Sequence, residues 1–130
     1  MMLEDVRDYI ASLNLSEHTY MGMLDSKKEK SFGVYNSKHG GTYKTAIGGP
    51  ALQSYGIKNV SFLIHWNKSP RETERAAKAL FEKLETARDV TINDQKIKFI
   101  QLLCNEPIGI DTDDDGIYEM VIEAAIIYEK

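Results

Sequence analysis

The chain has a single cysteine, Cys104, in 130 residues. That rules out an internal disulfide and fits a reducing compartment. No apolar run approaches the ~20 residues that a membrane-spanning helix needs. The opening MMLEDVRDYI turns acidic at once and has no basic stretch followed by an apolar block, so no secretory signal is expected. His18, His39 and His65 lack the spacing of a metal-binding set. The glycines near Lys44 are not ordered as a phosphate loop, because no Gly precedes Lys44-Thr45. Neither a Gly-x-Ser-x-Gly elbow nor a His-Glu-x-x-His pair is present. Cys104 has no histidine at a supporting spacing and reads as a small core residue after a β run. The expectation is a non-enzyme with no catalytic residues and no cofactor.

What is present is an ordinary domain composition, 42% apolar and 28% charged. The length suits one domain, residues 1–130, burying about two-thirds of its unfolded surface without staples. The net charge of −4 argues against a broad nucleic-acid-coating surface. Its distribution is uneven. Asp25 to Lys44 holds five lysines against two acids, and Glu106 to Lys130 holds eight acids against one lysine. Such runs are either solvated surface segments or complementary patches through which copies pair.

The clearest local signal is NVSFLIHWNKSPRETERAAKALFEKL, Asn59 to Leu84. Val60, Phe62, Ile64 and Trp66 alternate with Ser61, Leu63, His65 and Asn67, the period of a strand. Leu63 on the second face points to partial cover there, and His65 reads as a half-buried packing residue. The period then changes. Thr73, Ala76, Ala77, Leu80, Phe81 and Leu84 fall on one helical face. Ser69 is placed to cap the first turn, Pro70 fits its first position, and Glu72 sits where a capping box needs it.

Elsewhere, Leu3, Val6, Ile10 and Leu13 mark a short helix ending near Asn14. His18 to Leu24 and Ser31 to Tyr35 read as strands, and the polar Asp25–Lys30 between them predicts a hairpin. Asn36 to Tyr55, with Gly40, Gly41, Gly48, Gly49 and Pro50, reads as the longest irregular segment. Val90–Ile92 and Lys96–Leu103 flank Asn93-Asp94-Gln95, a second hairpin signal. Glu106-Pro107 ends that strand, Asp111–Gly116 is a polar turn, and Tyr118 to Glu129 is a long strand with one apolar and one partly acidic face. The order predicts an α+β domain, an antiparallel or mixed sheet covered by two main helices.

Asp111, Asp113 and Asp115 with Gly116 match the opening of a calcium loop. The match fails at the twelfth position, which is Ile122, with Glu123 one residue late. The competing reading is a tight turn stabilised by Asp side chains and a positive φ at Gly116.

His65 to Leu84 (HWNKSPRETE…ALFEKL) and Thr112 to Glu129 (TDDDGIYEMVIEAAIIYE) resemble a family of bacteriophage minor capsid proteins of tail-terminator, or tail-completion, type. MLEDVRDYI (Met2–Ile10) and FGVYNS (Phe32–Ser37) share the likeness, so it runs over nearly the whole chain. The resemblance implies a tail-terminator-like α+β subunit that forms a ring, commonly a hexamer. The ring would cap the tail tube, stop its polymerisation and take part in head–tail joining. The partners implied are copies of itself, the major tail tube protein and the head–tail connector protein, with DNA passing through the bore without specific binding and no membrane. The expected location is the virion, and the host cytoplasm during assembly. The interface candidates are Lys27, Lys28 and Lys30 against Asp113, Asp114 and Asp115 of a neighbour. Alternatives are a head–tail connector or stopper subunit and a small calcium- or ligand-binding module.

Overall fold

The computed structural model of the chain describes residues 1–37, 49 and 54–130. In chain order these form α1 (Leu3–Ser12), β1 (His18–Met21), β2 (Ser31–Asn36), β3 (Tyr55–His65), α2 (Pro70–Thr86), β4 (Arg88–Ile92), β5 (Gln95–Leu102), β6 (Ile108–Thr112) and β7 (Tyr118–Glu129). The strands make one mixed, strongly curled sheet in the order β1-β2-β3-β7-β5-β4, with β6 also paired to β7. The fold is α+β, as the order of elements predicts.

Both helices lie over one face. Along β3, Val60, Phe62 and Ile64 point to it and are fully buried, and Ile122, Ala124 and Ile126 follow on β7. α2 closes that face with Thr73, Ala76, Ala77, Leu80 and Leu84, while α1 adds Val6, Tyr9 and Ile10. These side chains share a single core cluster. Because the sheet curls, α1 touches both β1 and the far edge strand β4. The tip of the β4–β5 hairpin is tied to it: the Asn93 amide donates to Asp5 Oδ1 at 3.2 Å and Asp8 Oδ2 at 2.7 Å. That amide, and then Arg7, hold the Asp8 carboxyl below its usual range.

The start of α2 follows the sequence closely. The Glu72 amide donates to Ser69 Oγ at 3.2 Å, and Pro70 is the first helical residue. The return half of the capping box goes elsewhere. The Glu72 carboxylate accepts from the Asn67 amide at 3.0 Å, and the Ser69 N–H is taken by Asn67 Oδ1 at 2.9 Å. Asn67, two residues before the cap, reaches both groups and displaces the reciprocal bond.

Three expectations are corrected. β1 and β2 do not form a hairpin; they pair in parallel, His18 opposite Ser31 and Met21 opposite Val34. A two-residue hairpin of type I′ needs positive φ at both turn residues. Asn93 (+48°) and Asp94 (+62°) meet that demand between β4 and β5. In the 22–30 segment Gly22 (+78°) and Lys30 (+55°) are far apart, so the chain turns at each end and runs back between them. Secondly, β3 begins at Tyr55, within the stretch read as irregular, because the end of β7 supplies partners down to Tyr55 opposite Glu129. The rest of that stretch, and His39, lie outside the described residues. Thirdly, Asp111 and Thr112, at the start of the stretch read as a polar turn, are the last residues of a strand, Ile108–Thr112.

Candidate functional site

Among the described residues, no helix lies on the second face of the sheet. Along β3 it carries Tyr55, Ile57, Asn59, Ser61, Leu63 and His65, opposite Glu129, Ile127, Ala125, Glu123, Val121 and Glu119 of β7. Two of these cross-strand pairs join a carboxylate to a donor. Ser61 Oγ donates to Glu123 at 2.7 Å, and Ser37 Oγ adds a contact at 3.2 Å. His65 Nδ1 lies 2.8 Å from Glu119 Oε2.

His65 is the centre of a polar node. The residue is 1% exposed, against the half-buried position its sequence context suggests. Nε2 faces the Ser26 carbonyl at 3.0 Å and lies 3.8 Å from Asp113 Oδ2. Both ring nitrogens thus face oxygen atoms of other segments. Three separate segments therefore converge on one ring: the 22–30 return segment, the β6–β7 turn and β7. Leu24 of the return segment packs over Gly33, where an added Cβ would stand 3.3 Å from Leu24 Cδ1 and 2.7 Å from the Tyr35 ring. Glycine at that position leaves room for both side chains. Burial pushes the Tyr35 phenol upward, and the Glu119 charge adds to the rise.

The interface candidates fall at this same end of the sheet. Lys27, Lys28 and Lys30 are exposed on the return segment, as are Asp114 and Asp115 on the turn. Asp113 is engaged by its own loop: Oδ1 accepts from the Asp115 and Ile117 amides, both at 2.9 Å. The Gly116 N–H bonds the Asp113 carbonyl at 3.0 Å, with Gly116 at φ +79°. This is the tight Asp-supported turn. Asp111 is exposed on β6. Among the described residues, no group of three His, Cys, Asp or Glu side chains is arranged to hold a metal ion.

The sequence reading did not single out the apolar part of the open face. Phe99 (40% exposed) stands beside Ile127, which pairs on its other side with Ile57 (44%). Leu103 (50%), Ile108 (49%) and Ile110 (45%) continue it toward β6. A bulge between Ile97 and Phe99 sends Phe99 outward and returns Ile100 to the core. Behind β6, a groove of about 590 Å³ separates it from α2, with Phe81 and Met120 among its lining and Glu74 and Glu82 beside them.

A family model described as bacteriophage tail terminator protein matches residues 6–130. The chain belongs to that family. No curated protein and no solved structure matches it. The terminator match covers α1 from Val6 onward, all of α2 and every strand, so the node, the basic segment and the open face all lie inside it. The tail terminator family is a family of phage structural proteins. Among the described residues, no helix is long and apolar enough to cross a membrane.

Proposed function

We propose that this terminator is a ring-forming subunit, six to the ring, that caps the tail tube, stops its polymerisation and presents the surface joined by the head. The family match over residues 6–130 carries the reading. The exposed apolar side chains of the second face support it, since exposed apolar area of this kind marks contacts between proteins. In this reading the partners are copies of the same chain, the major tail tube protein and the head–tail connector protein. DNA passes through the bore without being held, for which the net charge of −4 is suitable, because lysine and arginine contacts to phosphate would retain it. The chain performs no bond chemistry, works in the virion and assembles in the host cytoplasm.

Neighbouring subunits meet through the basic segment at Lys27, Lys28 and Lys30 and the acidic turn at Asp113, Asp114 and Asp115. Of the three acids, Asp114 and Asp115 offer free carboxylates to a neighbour. The capping role is tested by electron microscopy of phage lacking this chain. Overlong tails are the expected result. Tails of normal length, detached from heads, would instead make the chain a connector or stopper.

A further inference from the structure

β6 is the least covered strand of the sheet. All its residues are exposed. Among the described residues, its strand partner is β7, on one side. On the helix side Gly109 faces the groove, with nothing within 4 Å of where a Cβ would stand. On the open side, Ile108 and Ile110 are 49% and 45% exposed. Free edge strands are normally protected by lysine, proline or a covering element. This one instead presents two isoleucines, with Asp111, Asp114 and Asp115 exposed around them.

At this end of the sheet the strand order is β1-β2-β3-β7-β6, so β1 and β6 are its opposite borders. Among the described residues, β1 too has a strand partner on one side only, β2. It runs out into Met21, 51% exposed, and Met23, 90% exposed. The exposed lysines Lys27 and Lys28 follow directly. One border thus offers unbranched, adaptable apolar side chains with positive charge beside them. The other offers a flat apolar strip with negative charge beside it.

We infer that the β6 border is the seat for the Met21–Lys30 segment of a second copy of this chain, methionines over Ile108 and Ile110 and lysines against Asp114 and Asp115. The inference rests on the ring reading and supplies its subunit contact. An apolar centre with a charged rim is the ordinary construction of such a contact. The two patches differ and lie at opposite borders, so each copy that docks leaves one of each unused. That is the head-to-tail arrangement from which rings are built.

The test uses full-length chains in a Cys104→Ser background, one carrying Met23→Cys and the other Ile108→Cys. Mixed and mildly oxidised, they are expected to give the cross-linked heterodimer in about tenfold excess over either homodimer, as a heterologous contact requires. Equal homodimer yields, or no mixed product, would overturn the inference. Separately, Ile108→Asp should lower the self-association constant by about tenfold or more with an unchanged melting temperature. A fall in melting temperature with association intact would count against the contact. Overlong tails without the mixed disulfide would leave tail capping standing and remove this contact; the disulfide with tails of normal length would do the reverse.

Discussion

The two faces of this sheet are made from the same strands and differ in how each is completed. On β7, Met120, Ile122, Ala124, Ile126 and Tyr128 lie under the helices, and Glu119, Val121, Glu123, Ala125, Ile127 and Glu129 alternate with them on the open side. The covered face is finished by local chain: α2 follows β3 directly, and its apolar stripe matches the strand beneath. The open face is finished by long-range polar contacts at Glu119 and Glu123, by one return segment over Gly33 and, in the proposed ring, by another copy. Apolar content is thus a poor guide to which face is the core. The available cover decides it.

The sharpest way to break this comparison is to truncate one large side chain on each face. Phe62→Ala, in the covered core at 0% exposure, should cost about 3–5 kcal/mol in chemical denaturation. Ile108→Ala on the open face should stay within about 0.5 kcal/mol, because an exposed side chain has little burial to lose. Comparable losses at the two positions would mean that the open face is a second core within the single subunit.

The polar node at His65 is the next test. Glu119→Ala leaves a buried His65 nitrogen without its acceptor, which should cost about 1–3 kcal/mol. The double variant with His65→Leu should recover part of that loss, since both polar partners are then gone. A purely additive double variant would show that Glu119 acts through something other than His65. On the covered side, Ser69→Ala should cost about 1 kcal/mol through the lost cap, measured by thermal unfolding. Because the Ser69 N–H is already held by Asn67, a larger loss would point to a rearranged first turn of α2.

These two faces also differ in how far the sequence reveals them. α2 was readable to its cap, because capping, helical period and burial are all set within one continuous segment. The β4–β5 hairpin was readable for the same reason, through Asn93-Asp94. The open face depends on partners distant in the chain. Nothing near His65 announces that Glu119 will stand opposite it, nor that the Ser26 carbonyl will close the other side of the ring. The direction of a strand as short as His18–Met21 is not encoded in its alternation, and the hairpin expectation fails there. β6 is hidden by Pro107 and Gly109, which dilute its pattern, and by isoleucines with no core to face. At Phe99, strict alternation places the ring with Ile97 in the core, until the bulge reverses it.

The smallest expected effect concerns the acidic turn at the border of the open face. Millimolar calcium should leave the melting temperature unchanged. In a calcium loop the first, third and fifth side chains turn inward toward the ion, and a bidentate Glu closes the site at the twelfth position. Here Asp113 Oδ1 is already committed to two amides of its own turn, at 2.9 Å each, and Oδ2 lies toward His65. The twelfth position is Ile122, which is fully buried on the covered face. Recruiting Glu123 in its place would mean giving up its bonds to Ser61 and Ser37 across the sheet. Calcium would therefore have to displace contacts that hold both the turn and the open face. A rise of several degrees would show that the ion, not the proposed neighbouring copy, completes this border.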